Sequence, residues 1–141
     1  MPKEKKSKSK IKNREPKYQI NEHLLEKNGM SFPYMIASRL NEIGKVAEEE
    51  IMALKLSELL NICSNVKKES ELFIMPGNTI GEAIFKILLL NKNKPLSLRQ
   101  LQSNLTDAWV DVLHLKNLSD ETLLNWLGSE NQYCVNEISS N

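Results

Sequence analysis

Residues 79–105, TIGEAIFKILLLNKNKPLSLRQLQSNL, carry the pattern that decides the fold. Thr79 and Ser97 each stand three residues before a longer acceptor, Glu82 or Gln100, which is the spacing of a capping box at a helix N-terminus. Apolar residues follow each cap at helical spacing, and NKNKP requires a turn between them. The segment therefore predicts two capped helices joined by a short turn, with Leu98, Leu101 and Leu105 inward in the second.

Three further elements are predicted towards the C-terminus. Residues 107–116 are expected to form another helix, which includes both Trp109 and Val110. Ser119 is expected to cap a helix that ends at Gly128, since Ser is a preferred N-cap and Gly a common stop. Residues 133–135, Tyr-Cys-Val, have the propensity of a strand.

The order of these elements resembles a winged-helix domain over residues 79–138, a helix-turn-helix variant with a small β-hairpin. In particular, KPLSLRQL at residues 94–101 resembles the segment by which many such domains enter their second helix. The resemblance implies a recognition helix over residues 119–128, yet this segment contains Asp120 and Glu121 and no Lys or Arg. Base reading relies mostly on Arg, Lys, Asn and Gln, so the charge favours a winged-helix domain that binds protein.

The first half of the chain, residues 18–74, is expected to be helical and to pack on this C-terminal part, residues 75–138. A short helix is predicted over residues 18–28. Two helices over about 34–46 and 48–66 are preferred to a single long helix, because Gly44 weakens the helical pattern between them. The apolar stripe of the second of these helices is Met52, Leu56, Leu59, Cys63 and Val66.

That stripe has two interpretations. It packs on the second half of the chain, or, if the helices of the first half extend away from it, residues 48–66 form the seam of a homodimer. The neighbouring Glu48, Glu49 and Glu50 point in different directions around a helix and are expected to face solvent.

The net charge of the whole chain is only +1 over 141 residues, but the charges are unevenly distributed. Residues 1–17 have a net charge of +6, and the rest of the chain has −5. The first segment has too few apolar residues to fold, and basic arms of this kind often bind polyanions. We therefore expect a disordered arm that binds phosphates without sequence preference, on an acidic body that adds nothing to this binding. The cations of the arm are Lys3, Lys5, Lys6, Lys8, Lys10, Lys12, Arg14 and Lys17.

Several classes of protein are not expected from this composition. No stretch approaches the roughly 20 apolar residues that cross a bilayer, and the basic N-terminus lacks the apolar segment of a signal peptide. Two cysteines without such a signal indicate reduced thiols and an intracellular, reducing compartment, the cytoplasm or a nucleus. The glycines form no phosphate-binding loop, and His23 and His114 have no neighbour at metal-ligand spacing. We therefore expect no catalytic residue, metal or cofactor.

The fold class expected is mainly α, with an N-terminal helical segment packed on a winged-helix-like part and a disordered basic arm. The leading hypothesis for function is a non-enzymatic adaptor of a nucleic-acid-associated assembly, with a protein partner. Trp109 and Trp126 are its candidate contact residues, because Trp is enriched at interface hot spots when it is exposed. The alternatives are a winged-helix DNA-binding transcription regulator, possibly dimeric, and a small enzyme built on Cys63 or Cys134 with a histidine.

Overall fold

A computed structural model describes residues 15–138, which form a mainly α fold with a small three-stranded antiparallel sheet. The expected fold class is thus confirmed at the level of mainly α, while residues 1–14 of the basic arm lie outside the described part. Within residues 15–138, no helix has the length and apolar character needed to cross a membrane. In chain order the elements are β1 (Lys17–Ile20), α1 (Glu22–Lys27), α2 (Phe32–Glu42), a 3₁₀ turn (Glu48–Glu50), α3 (Leu56–Val66), a 3₁₀ turn (Lys67–Glu69), α4 (Ser70–Phe73), α5 (Ile80–Leu90), β2 (Leu96–Ser97), α6 (Leu98–Ala108), a 3₁₀ segment (Val110–Leu115), α7 (Asp120–Gly128) and β3 (Val135–Glu137).

The first strand, β1, is the centre of the sheet, between β2 and β3. Tyr18 pairs with Leu96 on one side and with Glu137 on the other. Tyr18 and Ile20 are buried, whereas the side chains between and before them face outwards, as the period of two in a strand requires. The predicted helix over residues 18–28 is therefore wrong in its first part. Four residues are too few to distinguish the apolar period of a strand from that of a helix. The predicted end of the arm at Lys17 is also wrong, since β1 begins there.

Helix α5 is the centre of the core. Nine of its eleven residues are buried, and it packs against α3, α6 and β1. Phe85 of α5 makes an edge-to-face contact with Phe32 of α2, at 6.3 Å between ring centroids. The first half of the chain thus covers one side of α5, and the second half covers the other.

Residues 34–66 form two helices, so the alternative of one long helix is wrong. The first helix, α2, ends at Glu42 before Gly44, which has φ +75°, a left-handed conformation that glycine adopts readily. The second, α3, begins at Leu56 and not at residue 48, and Met52 is 83% exposed. Residues 48–50 form a 3₁₀ turn whose three glutamates are exposed, as predicted. Three glutamates in succession contribute no apolar face that would hold them in an α-helix.

The α3 stripe packs inside the molecule. Leu59, Cys63 and Val66 are all buried, and α3 contacts both α2 and α5. These side chains are therefore not accessible to a second copy, and the predicted dimer seam through residues 48–66 is wrong for this stripe.

The second half forms the capping box predicted at Ser97, but only one of the two bonds predicted at Thr79, since the Glu82 carboxylate is bound by Arg39. Ser97 and Gln100 form both bonds of their capping box, and the Thr79 hydroxyl accepts a hydrogen bond from the Glu82 N–H. The helix predicted over residues 107–116 is a 3₁₀ segment, Val110–Leu115, and its first two predicted residues instead end α6. The last strand covers Val135–Glu137, two residues later than predicted.

Candidate functional site

The 3₁₀ segment Val110–Leu115 exposes large apolar side chains at both of its ends. Val110 is 62% exposed and Leu115 is 71% exposed. Leu72 and Met75, which precede α5, are exposed as well. Two contacts, described below, join these segments. We call the set of Leu72, Met75, Val110 and Leu115 the apolar surface.

Trp109 holds this surface in place from below. Its ring is 1% exposed, and its Nε1–H donates a hydrogen bond to the Met75 carbonyl at 2.9 Å. The Lys116 ammonium lies 3.9 Å from the centroid of the same ring, a cation–π contact, and donates to the Pro76 carbonyl at 2.6 Å. The prediction that Trp109 contacts a partner is therefore wrong, because the ring lies in the core. It positions the exposed Val110 beside Met75.

Val110 lies between two acidic residues in the sequence. Asp107 and Asp111 are exposed on either side of Val110. The nearest cation along the chain, Lys116, is directed towards Trp109 and Pro76. An exposed apolar residue next to acids complements a partner whose own apolar residues are flanked by Lys or Arg.

Trp126 lies half-buried beside a surface cavity. Its ring contacts the Tyr133 ring at 6.2 Å between centroids. A Cβ atom at Gly81 would lie 2.7 Å from Trp126 Cζ2, so a larger residue at this position would displace the Trp126 ring. The cavity, of about 510 Å³, is lined by residues 79–81, Trp126 and residues 129–133. Trp126 is thus accessible in part.

A charged network joins α2, α5 and the segment before β3. Arg39 donates two hydrogen bonds to the Glu82 carboxylate, at 2.7 and 3.0 Å. The Tyr133 hydroxyl donates to the same carboxylate at 2.9 Å, and the Lys86 ammonium lies 3.7 Å from it. Lys86 is buried and also donates to the Phe73 carbonyl at 2.8 Å. Every polar group of this network has a partner, which is typical of a structural network.

The network changes the protonation of its members. Burial alone would raise the pKa of Glu82, but the Arg39 guanidinium, the Tyr133 hydroxyl and Lys86 together hold it below its usual value. Burial lowers the pKa of Lys86, and Glu82 offsets part of that effect. Burial raises the pKa of Tyr133, and its hydrogen bond to Glu82 adds to the increase.

We expect Glu82→Gln to lower the free energy of unfolding at pH 7 by about 1–3 kcal/mol, the range for hydrogen bonds to charged groups. Because the folded pKa of Glu82 is depressed, its stabilising effect is present above the unfolded pKa, near 4.3, and is lost as pH falls through the folded pKa. The difference between the two proteins in urea unfolding should therefore shrink below about pH 4. Glu49→Gln, at an exposed site, is the matched control. A difference that does not change with pH would contradict this reading of the network.

The two cysteines are buried, free thiols. Burial raises the pKa of Cys63 to about 12 and raises that of Cys134, whose sulfur accepts a hydrogen bond from the Asn28 amide at 3.6 Å. His23 and His114 are exposed. This arrangement lends no support to a cysteine–histidine nucleophile, which needs an accessible thiolate. Within the described residues, no three His, Cys, Asp or Glu side chains are grouped so that they could hold a metal ion.

The exposed face of α7 is acidic and apolar. Asp120, Glu121, Leu124 and Asn125 are exposed on it. Asp120 accepts a hydrogen bond from the Gln102 amide at 2.6 Å and lies 3.6 Å from Arg99. The one cation of α6 is therefore already paired with an acid of α7, and this face offers little attraction to phosphates.

Of the residues predicted to contact nucleic acid, Lys17 lies in β1, and the other seven lie outside the described residues. The charged network was missed, because Glu82 was interpreted only as a capping residue. Two signals were present in the sequence: Glu82 and Lys86 at the i, i+4 spacing of an ion pair, and a single lysine in an otherwise apolar helix.

Comparison of the chain with protein-family models, with curated proteins and with solved structures gives no match.

Proposed function

We propose that this protein is a non-enzymatic adaptor of a nucleic-acid-associated assembly. Its body binds a protein partner through the apolar surface, and its Lys-rich arm binds phosphates without sequence preference. The observation that carries the proposal is the exposure of Val110 and Leu115 on a segment that the buried Trp109 holds against the Met75 loop. Contiguous exposed apolar surface is typical of a protein-interaction site, and Val110 and Leu115 are the most exposed apolar side chains of the two segments that Trp109 joins.

The fold proposed for this adaptor is winged-helix-like. Helix α5, strand β2, helices α6 and α7 and strand β3 follow the order of elements in such a domain. Among the described residues β3 pairs with the N-terminal strand β1 and not with a neighbouring strand of a hairpin, so the β-hairpin of the resemblance is replaced by a sheet in the order β2-β1-β3. The acidic exposed face of α7 supports protein binding over the alternative, a DNA-binding regulator. The free, reduced cysteines are consistent with the proposed reducing compartment.

The protein half of the proposal is tested by affinity capture with the intact chain in the presence of nuclease. We expect Val110→Asp/Leu115→Asp to lose a partner that the wild-type protein retains, because two charges would have to be buried in the interface. Met52→Asp/Leu124→Asp, with the same charge change at exposed apolar sites elsewhere, should retain it. A partner that both double variants retain, or both lose, would overturn the assignment of this surface.

The phosphate half is tested with an unrelated 20-base-pair DNA duplex at several salt concentrations. The log of the binding constant should fall with the log of salt by about 0.9 per phosphate neutralised. A full-length variant with the six arm lysines replaced by Gln (Lys3, Lys5, Lys6, Lys8, Lys10 and Lys12) should bind more weakly and with a smaller slope. Sequence-selective binding that survives in this variant would favour the winged-helix regulator, and no binding by the intact protein would remove the phosphate role.

A further inference from the structure

The body has a net negative charge, but its cations are not evenly placed. Four of the eleven basic residues after position 17 lie at the C-terminal ends of two adjacent helices. Lys67 and Lys68 follow α3, and Lys92 and Lys94 follow α5. All four are exposed. A direct contact links the ends of the two helices, since the Lys67 ammonium donates to Asn91 Oδ1 at 2.7 Å.

Asn93 fixes the turn that carries Lys92 and Lys94. Its side-chain Oδ1 accepts a hydrogen bond from the Ile20 N–H at 2.9 Å, and its Nδ2 donates to the Ile20 carbonyl at 3.0 Å. Lys92 and Asn93 both have left-handed backbones, at φ 56° and 58°. A left-handed backbone is unfavourable for lysine, and the surrounding contacts maintain it here. Lys92 and Lys94 therefore project from a rigid turn.

The same turn lies beside the outer face of β1. The Gln19 amide donates to the Asn93 carbonyl at 2.9 Å, and Lys17 shares the outward face of the strand with Gln19. Lys17 continues directly into the arm. The exposed acids closest in sequence are Glu15 and Glu69, and Glu69 is paired with Lys45 at 3.4 Å.

We propose that Lys17, Lys67, Lys68, Lys92 and Lys94 form a lysine surface that binds the phosphate backbone of a nucleic-acid duplex, continuous with the arm. This inference rests on the phosphate half of the proposed function and revises the expectation that the body adds nothing to it. The negative ends of the helix dipoles explain cations next to α3 and α5, but not Lys17 and Lys94, which lie beyond those helices. Phosphates along a duplex form the extended row of anions that such a surface complements.

The test uses the full-length protein and a 20-base-pair DNA duplex of unrelated sequence, titrated at several salt concentrations. Lys92→Gln/Lys94→Gln and Lys67→Gln/Lys68→Gln are compared with Lys27→Gln/Lys55→Gln, which removes the same charge from exposed sites on α1 and before α3. Each of the first two variants should reduce the salt slope by about 1–2, since each phosphate contact contributes roughly 0.9. The control should retain the wild-type slope. Thermal midpoints measured in parallel separate a loss of contact from a loss of folding.

The outcomes distinguish this inference from the proposed function. If the two variants bind like the control while neutralising the arm abolishes binding, the lysine surface is overturned and the role of the arm stands. If all three double variants lose the same slope, the effect is that of net charge alone, which also overturns it. If the wild-type protein does not bind the duplex, both the surface and the phosphate role of the arm are overturned.

Discussion

Deletion of residues 1–20 is expected to leave little cooperatively folded protein at 25 °C. It removes the central strand, so that β2 and β3 both lose their partner, and it removes Tyr18 and Ile20 from the core. Burial of those two side chains alone is worth about 3–6 kcal/mol, a large part of the total stability of an ordinary domain. Thermal unfolding followed by circular dichroism measures the effect.

Deletion of residues 1–14 is the matched control. This deletion keeps β1 intact and should shift the thermal midpoint by no more than about 2 °C, because the buried core runs from Tyr18 to Val135. A fall of several degrees would mean that the arm packs on the body. An unchanged midpoint after deletion of residues 1–20 would contradict the placement of β1 at the centre of the sheet.

Replacement of Leu88 or Leu101 with Ala is expected to lower the free energy of unfolding by about 2–5 kcal/mol, the range for buried leucines. Leu88 lies in α5 and Leu101 in α6, and both side chains are fully buried. These helices pack against each other, so the lost methyl groups leave a cavity that rigid neighbours fill only in part.

The control for this change is Leu124→Ala on the exposed face of α7, with an expected effect within about 0.5 kcal/mol. Urea unfolding of the three variants gives the comparison directly. If Leu88→Ala or Leu101→Ala stayed within the range of the control, the inward faces of α5 and α6 would have been assigned wrongly.

The proposed adaptor still has a protein-binding part and a phosphate-binding part, but the residues assigned to each part differ from those expected from the sequence. Trp109 proved to be a support beneath the apolar surface, and the residues next to it in sequence are the exposed ones. The spacing of apolar residues after α6 does not indicate whether the Val110 side chain is buried in the core or exposed on the surface. The contact of Trp109 with the Met75 carbonyl decides that the Trp109 side chain turns inwards and that of Val110 outwards.

What the sequence alone determined is local. The caps at Thr79, Ser97 and Ser119, the turn before β2 and the basic arm depend on residues within a few positions of one another, and each can be derived from spacing and charge. The inward stripe of α6 follows from the spacing of its leucines, and the burial of α5 follows from a helix that is apolar on nearly every side.

The tertiary structure decided what depends on distant partners. Tyr18 to Ile20 became a strand because residues 96 and 135–137 offered edges for hydrogen bonding, and four residues contain too little pattern to show this. Glu82 pairs with Arg39, and Asn93 with Ile20, at separations of 43 and 73 residues. The lysine surface proposed above likewise depends on the ends of α3 and α5 lying close together, as the contact of Lys67 with Asn91 shows. Such contacts arise from packing, which brings distant residues together without leaving a periodic signal in the sequence.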